Sequence, residues 1–132
     1  MGLSFVLAFS LVASVPLYAQ ANSKSDAKTI PVIDGGIGPC SADFTVNDAS
    51  GAPVYDAKIR VHIEYGFMSL HKLDLEVGTN NDGKARFEGL PAKTKRGLLF
   101  QAEQGDREGS AFDDPANTCK AQLAIALQSK SK

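Results

Sequence analysis

The most constraining feature of this sequence is a strict alternation of aliphatic and polar side chains in residues 57–65. Ile59, Val61 and Ile63 take every second position, and the positions between them carry charged side chains or His62. Side chains of a strand alternate between its two faces, whereas helical spacing would scatter these aliphatic residues around the axis. Residues 57–65 therefore predict a β-strand with one apolar face.

Further segments alternate in the same way and are separated by turn residues. They are residues 41–47, 73–77, 84–88, 98–103 and 119–127. Residues 66–72 are interpreted as a loop or a strand extension, and the polar, glycine-rich residues 104–117 as a loop. Because no segment shows a clear helical period, the pattern predicts an all-β fold, an antiparallel two-sheet β-sandwich of about seven strands.

Composition divides the chain into segments. Residues 1–21 carry no charge and end in Ala19-Gln20-Ala21, so they predict a signal peptide cleaved after Ala21. No Lys or Arg precedes the apolar run, and a membrane anchor is the alternative, although the run falls short of the about 20 residues that a spanning helix needs. The remaining segments are a predicted flexible linker (22–39), a β-sandwich domain (40–128) and a disordered tail (129–132).

The chain has two cysteines, Cys40 and Cys119. An even count in an exported protein favours a disulfide, and the C-x-x-C spacing of metal and redox sites is missing. A bridge closing a loop of about 80 residues would contribute about 4 kcal/mol by restricting the unfolded chain. We predict a structural Cys40–Cys119 disulfide in a periplasmic or extracellular protein.

Charge excludes two classes of partner. The chain contains 14 Lys and Arg residues and 15 Asp and Glu residues, which gives a net charge of -1 with both signs interspersed along the sequence. Such a balance provides neither a basic surface for nucleic acid nor a polybasic segment for anionic lipid. We therefore expect no nucleic-acid partner. We also expect no stable membrane span once the leader is removed. The oligomeric state is left open.

Two turn motifs carry a family resemblance. The first is Phe44-Thr-Val-Asn-Asp48-x-x-Gly51-x-Pro-Val54-x-x-Ala57-x-Ile-x-Val61, and the second is Thr79-Asn-Asn-Asp-Gly83-x-x-x-Phe87-x-Gly-Leu-Pro91. The pattern resembles the carboxypeptidase regulatory-like domains of the transthyretin-like (prealbumin-like) superfamily. It implies a transthyretin-like or immunoglobulin-like sandwich. We expect no cofactor. Residues 92–96 lengthen the loop after Pro91, which leaves the pairing of the next strand open.

The same resemblance implies a function class. Its members are usually accessory modules of exported proteins, so we expect a non-enzymatic binding module that makes protein or glycan contacts in the cell envelope. One branch of the superfamily, the 5-hydroxyisourate hydrolases, uses His and Arg with a C-terminal Tyr-Arg-Gly-Ser, which this chain lacks. Arg60 and His62 share one outward face, and we expect them to pair across the sheet with Asp74 or Glu76. A hydrolase is therefore a third hypothesis, without assigned catalytic residues.

A periplasmic protein that binds a small molecule or calcium is the second hypothesis. The acidic side chains of the 104–117 loop that could form a calcium site are Asp106, Glu108, Asp113 and Asp114. His62 and His71 are a weaker candidate for copper or zinc, because two histidines without further soft ligands make a poor site.

Apolar residues in otherwise polar connections are the candidate contact patch. They are Phe67, Met68, Leu70 and Phe112. Two interpretations are open: the residues form an exposed recognition surface at one end of the sandwich, or they plug the open end of a small core. The plug is preferred at this point.

Overall fold

The computed structural model of the protein describes Gly2 and residues 29–130. The predicted signal peptide apart from Gly2, the first part of the predicted linker and the last two residues of the predicted tail lie outside the described residues. Between residues 29 and 130 no helix is long and apolar enough to cross a membrane.

Nine strands form two sheets in the described chain. They are β1 (Val32–Asp34), β2 (Cys40–Asn47), β3 (Lys58–Tyr65), β4 (His71–Gly78), β5 (Lys84–Leu90), β6 (Leu98–Gln104), β7 (Arg107–Asp113), β8 (Lys120–Ala126) and β9 (Gln128–Ser129). One sheet has the order β1-β5-β2-β8 and the other β4-β3-β6-β7-β9. The predicted all-β sandwich is confirmed.

The direction of the strands differs from the prediction in one sheet. The five-stranded sheet is antiparallel throughout, but β1 runs parallel to β5 and β2 runs parallel to β8. Because alternation along a strand reports which face is buried and not which neighbour it pairs with, the pattern did not reveal these two parallel pairs.

Three strands lie wholly or partly in segments that were predicted as irregular: β1, β7 and β9, whose Ser129 belongs to the predicted tail and is in register with Arg107. Val32–Asp34, in the predicted linker, is an edge strand in register with Arg86–Glu88 of β5, and three residues are too few for an alternation to be recognised. β7 lies in the predicted 104–117 loop. Its Gly109 reads as a turn residue, yet it is a strand position where a Cβ would come within 2.7 Å of the Ala126 carbonyl oxygen.

The remaining strands agree with the alternation, with small changes at their ends. β4 begins at His71, so the predicted loop or strand extension at 66–72 is a 3₁₀ turn (Phe67–Ser69) followed by strand. β6 pairs with β3 through Ile59 opposite Ala102, and with β7 through Leu99 opposite Phe112. The strand pairing after Pro91, which the sequence left open, is thereby defined.

Three phenylalanines from both sheets form the centre of the core. The ring centroids of Phe44 and Phe100 are 4.7 Å apart, those of Phe87 and Phe100 5.1 Å, and those of Phe44 and Phe87 5.5 Å. All three side chains are buried, and the predicted inward residues Ala121, Ile125 and Leu127 belong to the same core cluster, with Leu123 packed against it. The core therefore lies where the two inner faces meet.

The predicted disulfide is confirmed. Cys40 and Cys119 are bonded at 2.06 Å and stand 79 residues apart in sequence. They join the start of β2 to the residue before β8, where the Ser41 N–H also donates a 2.7 Å hydrogen bond to the Cys119 carbonyl oxygen. The bridge therefore fastens the beginnings of two parallel neighbours.

Candidate functional site

The β3–β4 hairpin ends in an apolar turn that we call the tip patch: Phe67, Met68 and Leu70. Their side chains are 80%, 76% and 72% exposed. The turn is closed by hydrogen bonds from the Ser69 N–H to the Gly66 carbonyl (3.1 Å) and from the Leu70 N–H to the Phe67 carbonyl (3.2 Å). The preferred plug interpretation is wrong for these residues, because none of them enters the core.

The backbone of the tip patch adopts a costly conformation. Met68 (φ 54°) and Ser69 (φ 56°) are both left-handed, a state that costs a non-glycine residue about 1–2 kcal/mol. At the base, Gly66 has φ 81°, and a Cβ there would lie 2.6 Å from His71 Cδ2. His71 in turn stacks on Tyr65 at 5.3 Å. The turn thus presents its apolar side chains outward from a packed base.

Phe112 lies apart from the tip patch. It belongs to β7, and β6 separates that strand from β3 in the sheet. Its register partner is Leu99, and its ring lies over Gly97, where a Cβ would come within 2.3 Å of Phe112 Cζ. The structure therefore divides the candidate contact patch into the tip patch and a separate site around Phe112.

Phe112 lines a depression on the outer face of the five-stranded sheet, the face turned away from the four-stranded sheet. The depression has a volume of about 220 Å³, and we call it the outer-face depression. Its lining residues are His62, Glu64, Thr94, Lys95, Arg96, Gly97, Leu99 and Phe112. A second depression of about 490 Å³ adjoins it, sharing His62 and Leu99 and continuing over Arg60 and Gln101.

Ion pairs within β3 and between β3 and β4 occupy the polar part of this face. His62 Nδ1 lies 2.7 Å from Asp74 Oδ1, and His62 Nε2 lies 3.5 Å from Glu64 Oε1. The hydrogen bond to Asp74, assisted by Glu64, raises the pKa of His62 above its ordinary value. Arg60 Nε contacts Glu76 Oε1 at 3.2 Å. The predicted pairing of Arg60 and His62 across the sheet is therefore confirmed.

The acidic residues proposed for calcium do not converge. Glu108 and Asp113 lie on the same strand, β7, but at positions of opposite parity, so their side chains point to opposite faces of the sheet. Asp113 is buried, and burial raises the pKa of its carboxyl, with Asp114 adding to the rise. Across the described residues, no three His, Cys, Asp or Glu side chains group as a metal ion requires.

The two histidines considered for copper or zinc are also separated. His62 pairs with Asp74, whereas His71 pairs with Tyr65 on the same two strands. These two pairs differ in parity, so the imidazole rings lie on opposite faces of the sheet. Neither metal candidate from the sequence corresponds to a formed site.

Leu99, Thr94 and Gly97 are site residues that the sequence analysis missed. A signal for Leu99 was present, because the alternation that buries Leu98 and Phe100 places it outward as an unexpected aliphatic side chain. Thr94 and Gly97 had no such signal. They contribute to the depression because the 92–97 loop lines it beside Leu99 of β6 and Phe112 of β7.

Comparison with known proteins identifies a shared fold. No protein-family model and no curated protein matches this chain. A solved structure of catechol 1,2-dioxygenase from Pseudomonas arvilla C-1 matches with a TM-score of 0.50 and 14% identity over 89% of this chain and 61% of that one.

Two similar enzymes give comparable matches. For 3-chlorocatechol 1,2-dioxygenase from Rhodococcus opacus 1CP the TM-score is 0.48 at 15% identity, covering 76% of this chain and 64% of that one. For catechol 1,2-dioxygenase from Acinetobacter sp. ADP1 it is 0.46 at 12%, covering 78% and 60%. This chain spans less than two thirds of each enzyme. At 14% identity the likeness to the Pseudomonas arvilla enzyme shows the fold alone, and the resemblance to carboxypeptidase regulatory-like domains stays a prediction.

Proposed function

We propose that this protein is an exported, non-enzymatic β-sandwich module that makes protein or glycan contacts in the cell envelope, and that the tip patch makes the protein contact. The exposed tip patch is the observation that carries this proposal. Three large apolar side chains stand together at the end of a hairpin, each more than 70% exposed. Clustered apolar surface of this kind is a common feature of protein contact sites.

The conformation of the tip patch supports the same function. Two consecutive left-handed residues that are not glycine persist only where surrounding contacts hold them, and such strain is concentrated at functional sites. Here Gly66 and the stacked Tyr65 and His71 rings hold the base of the turn. Because hydrogen bonds already hold the backbone of the turn, a partner that binds there has less backbone conformational entropy to remove.

The disulfide supports export. Cysteines of cytosolic proteins are kept reduced, whereas a bridge between Cys40 and Cys119 persists in the periplasm or outside the cell. A calcium-binding protein, the second hypothesis, receives no comparable support, because Glu108 and Asp113 point to opposite faces.

Site-specific photo-crosslinking in the producing cells tests the protein contact. A photoreactive residue is placed in turn at Phe67, Met68 and Leu70. The matched control positions are Ile30, Val32 and Tyr55, which are also exposed apolar residues but lie elsewhere on the surface. We expect one cross-linked species that is shared by the three tip positions and absent from the controls.

A variant then tests whether the tip patch provides the affinity. Replacing Phe67, Met68 and Leu70 together by serine is expected to weaken binding of the cross-linked partner at least about tenfold, because apolar anchors dominate interface energetics. Its melting temperature is expected to stay close to that of the parent, since the three side chains are exposed. The proposal fails if the species also forms at control positions, or if the serine variant binds normally.

A further inference from the structure

The outer-face depression contains a supported aromatic ring. Phe112 is 58% exposed, and its neighbour Leu99 is 50% exposed, on a face that is otherwise polar. The ring rests over Gly97, whose φ of 74° and missing Cβ both allow this contact. A phenyl ring held against backbone with exposed surface is a platform for a flat, partly apolar ligand.

The rim of the depression has a surplus of positive charge. Lys95 and Arg96 line it, and neither forms an ion pair with any residue in the described range. Glu64 is the acidic residue of the lining, and its carboxylate lies 3.5 Å from His62. An arginine and a lysine without partners beside a platform favour a ligand that carries a carboxylate.

A buried hydroxyl in the same lining lacks a hydrogen bond. Thr94 Oγ1 is buried, and none of the described residues partners it. A polar atom left in this state costs about 1–3 kcal/mol. A change of the Thr94 χ1 rotamer that points the hydroxyl into the depression would let it pair there with water or with a ligand hydroxyl.

We propose that the outer-face depression binds an acidic sugar, with the pyranose ring on Phe112 and the carboxylate at Arg96 and Lys95. The C–H groups of a pyranose face carry partial positive charge and pack on the negative face of a phenyl ring. Its hydroxyls match Thr94, and the adjoining depression over Leu99 and Gln101 provides space for a second ring. This inference deepens the proposed function by naming the glycan contact, and it does not depend on the tip patch.

Calorimetric titration of the purified chain with a uronic-acid trisaccharide tests the proposal, with maltotriose as the neutral counterpart. We expect the acidic sugar to bind and the neutral one to bind at least about tenfold more weakly, since one charge-assisted bidentate contact contributes that much. Binding is expected to weaken with added salt, because the charges are exposed. Equal affinity for both sugars, or no detectable heat with the acidic one, would overturn the proposal.

Variants of the basic loop locate the site. Arg96→Gln is expected to weaken binding about tenfold, whereas the matched control Lys93→Gln, in the same loop but outside the lining, is expected to leave it unchanged. Equal losses in both variants would mean non-specific attraction to a basic loop and would overturn the site.

Variants of the platform address the ring. Phe112→Ser is expected to abolish binding, and Phe112→Tyr, which keeps an aromatic face, to preserve it; loss of binding in both would contradict the stacking. An acidic peptide, tetraglutamate, that binds as tightly as the sugar would exclude a glycan site. The tip-patch variant with three serines should bind the sugar normally. Failure of the protein-contact proposal and failure of the sugar-site proposal are therefore distinguishable.

Discussion

The two faces of the five-stranded sheet differ in burial: side chains of the same strand lie in the core on one face and at the surface on the other. On β6, Phe100 is fully buried against Phe44 and Phe87, while the preceding residue, Leu99, is half exposed beside Phe112. The inner face is apolar along β3 and β6, and the outer face carries ion pairs together with two apolar residues, Leu99 and Phe112. The inner residues fill the core, whereas Leu99 and Phe112 are exposed and are assigned to a ligand only by the proposal made above.

The largest difference between the faces is expected for phenylalanine truncation. Phe100→Ala should reduce the free energy of unfolding by about 3–5 kcal/mol, because it opens a cavity among three packed rings. Phe112→Ala should cost less than about 1 kcal/mol, since the ring is largely in solvent. Urea denaturation of both variants measures the contrast, and losses of similar size would show that Phe112 is a structural residue after all.

A smaller effect is expected at the glycine beneath the platform. Gly97→Ala adds both left-handed strain and a contact with Phe112, whereas Gly36→Ala (φ 68°) adds the strain alone, because nothing lies within 4 Å of its Cβ position. The control, Gly36→Ala, should lower the free energy of unfolding by about 1–2 kcal/mol. Gly97→Ala should lower it further, because the Phe112 ring must also be displaced. Equal losses in thermal unfolding would mean that the ring moves freely and provides no platform.

The ion pairs of the outer face should contribute less still. A double-mutant cycle of Arg60→Ala and Glu76→Ala is expected to give a coupling energy of about 0.2–1 kcal/mol, typical of exposed pairs. Added salt should reduce it. A coupling energy well above this range would show that the outer face also holds the fold together.

The smallest effect is a pH dependence at His62. Its pKa is raised in the folded state by Asp74 and then Glu64. The pair therefore stabilises the fold below the unfolded pKa, and this contribution is lost as the pH rises through the folded pKa. NMR titration from about pH 5.5 to about pH 8.5 covers the ordinary histidine range.

The matched comparison for this titration is Asp74→Asn, which should bring the His62 pKa down and flatten the dependence of the melting temperature on pH. A His62 pKa that is unaffected by this substitution would show that the 2.7 Å contact does not persist in solution.

The alternation of apolar and polar residues predicted the strands whose two faces differ most in burial. β3 buries every second residue and β8 buries or half-buries every second one, so period two is visible in the sequence. β7 was missed because its inward positions are Arg107, Gly109, Ala111 and Asp113, and only one of these is a hydrophobic side chain. Where a strand buries small or polar residues against a close neighbour, the period disappears although the pairing remains.

The candidate site was predictable only in part. The residues of the tip patch are close in sequence, and their apolar character was noticed there. Their exposure was not predicted, because hydrophobicity alone favours burial. In the structure a left-handed turn at Met68 and Ser69 keeps them out of the core. The outer-face depression was not predictable as a unit, because β3, the 92–97 loop, β6 and β7 each supply part of it.

The sequence by itself determined the all-β class, the buried faces of the principal strands and the disulfide. The class and the buried faces follow from local alternation, and the disulfide follows from the presence of two cysteines in the chain. Only the tertiary structure decided that the four-stranded sheet is mixed, that Phe112 is separate from the tip patch, and that Leu99 and Thr94 join it in one depression. The physical reason is that strand pairing and loop packing bring together residues far apart in sequence, whereas a local pattern reports only which face of its own segment is apolar.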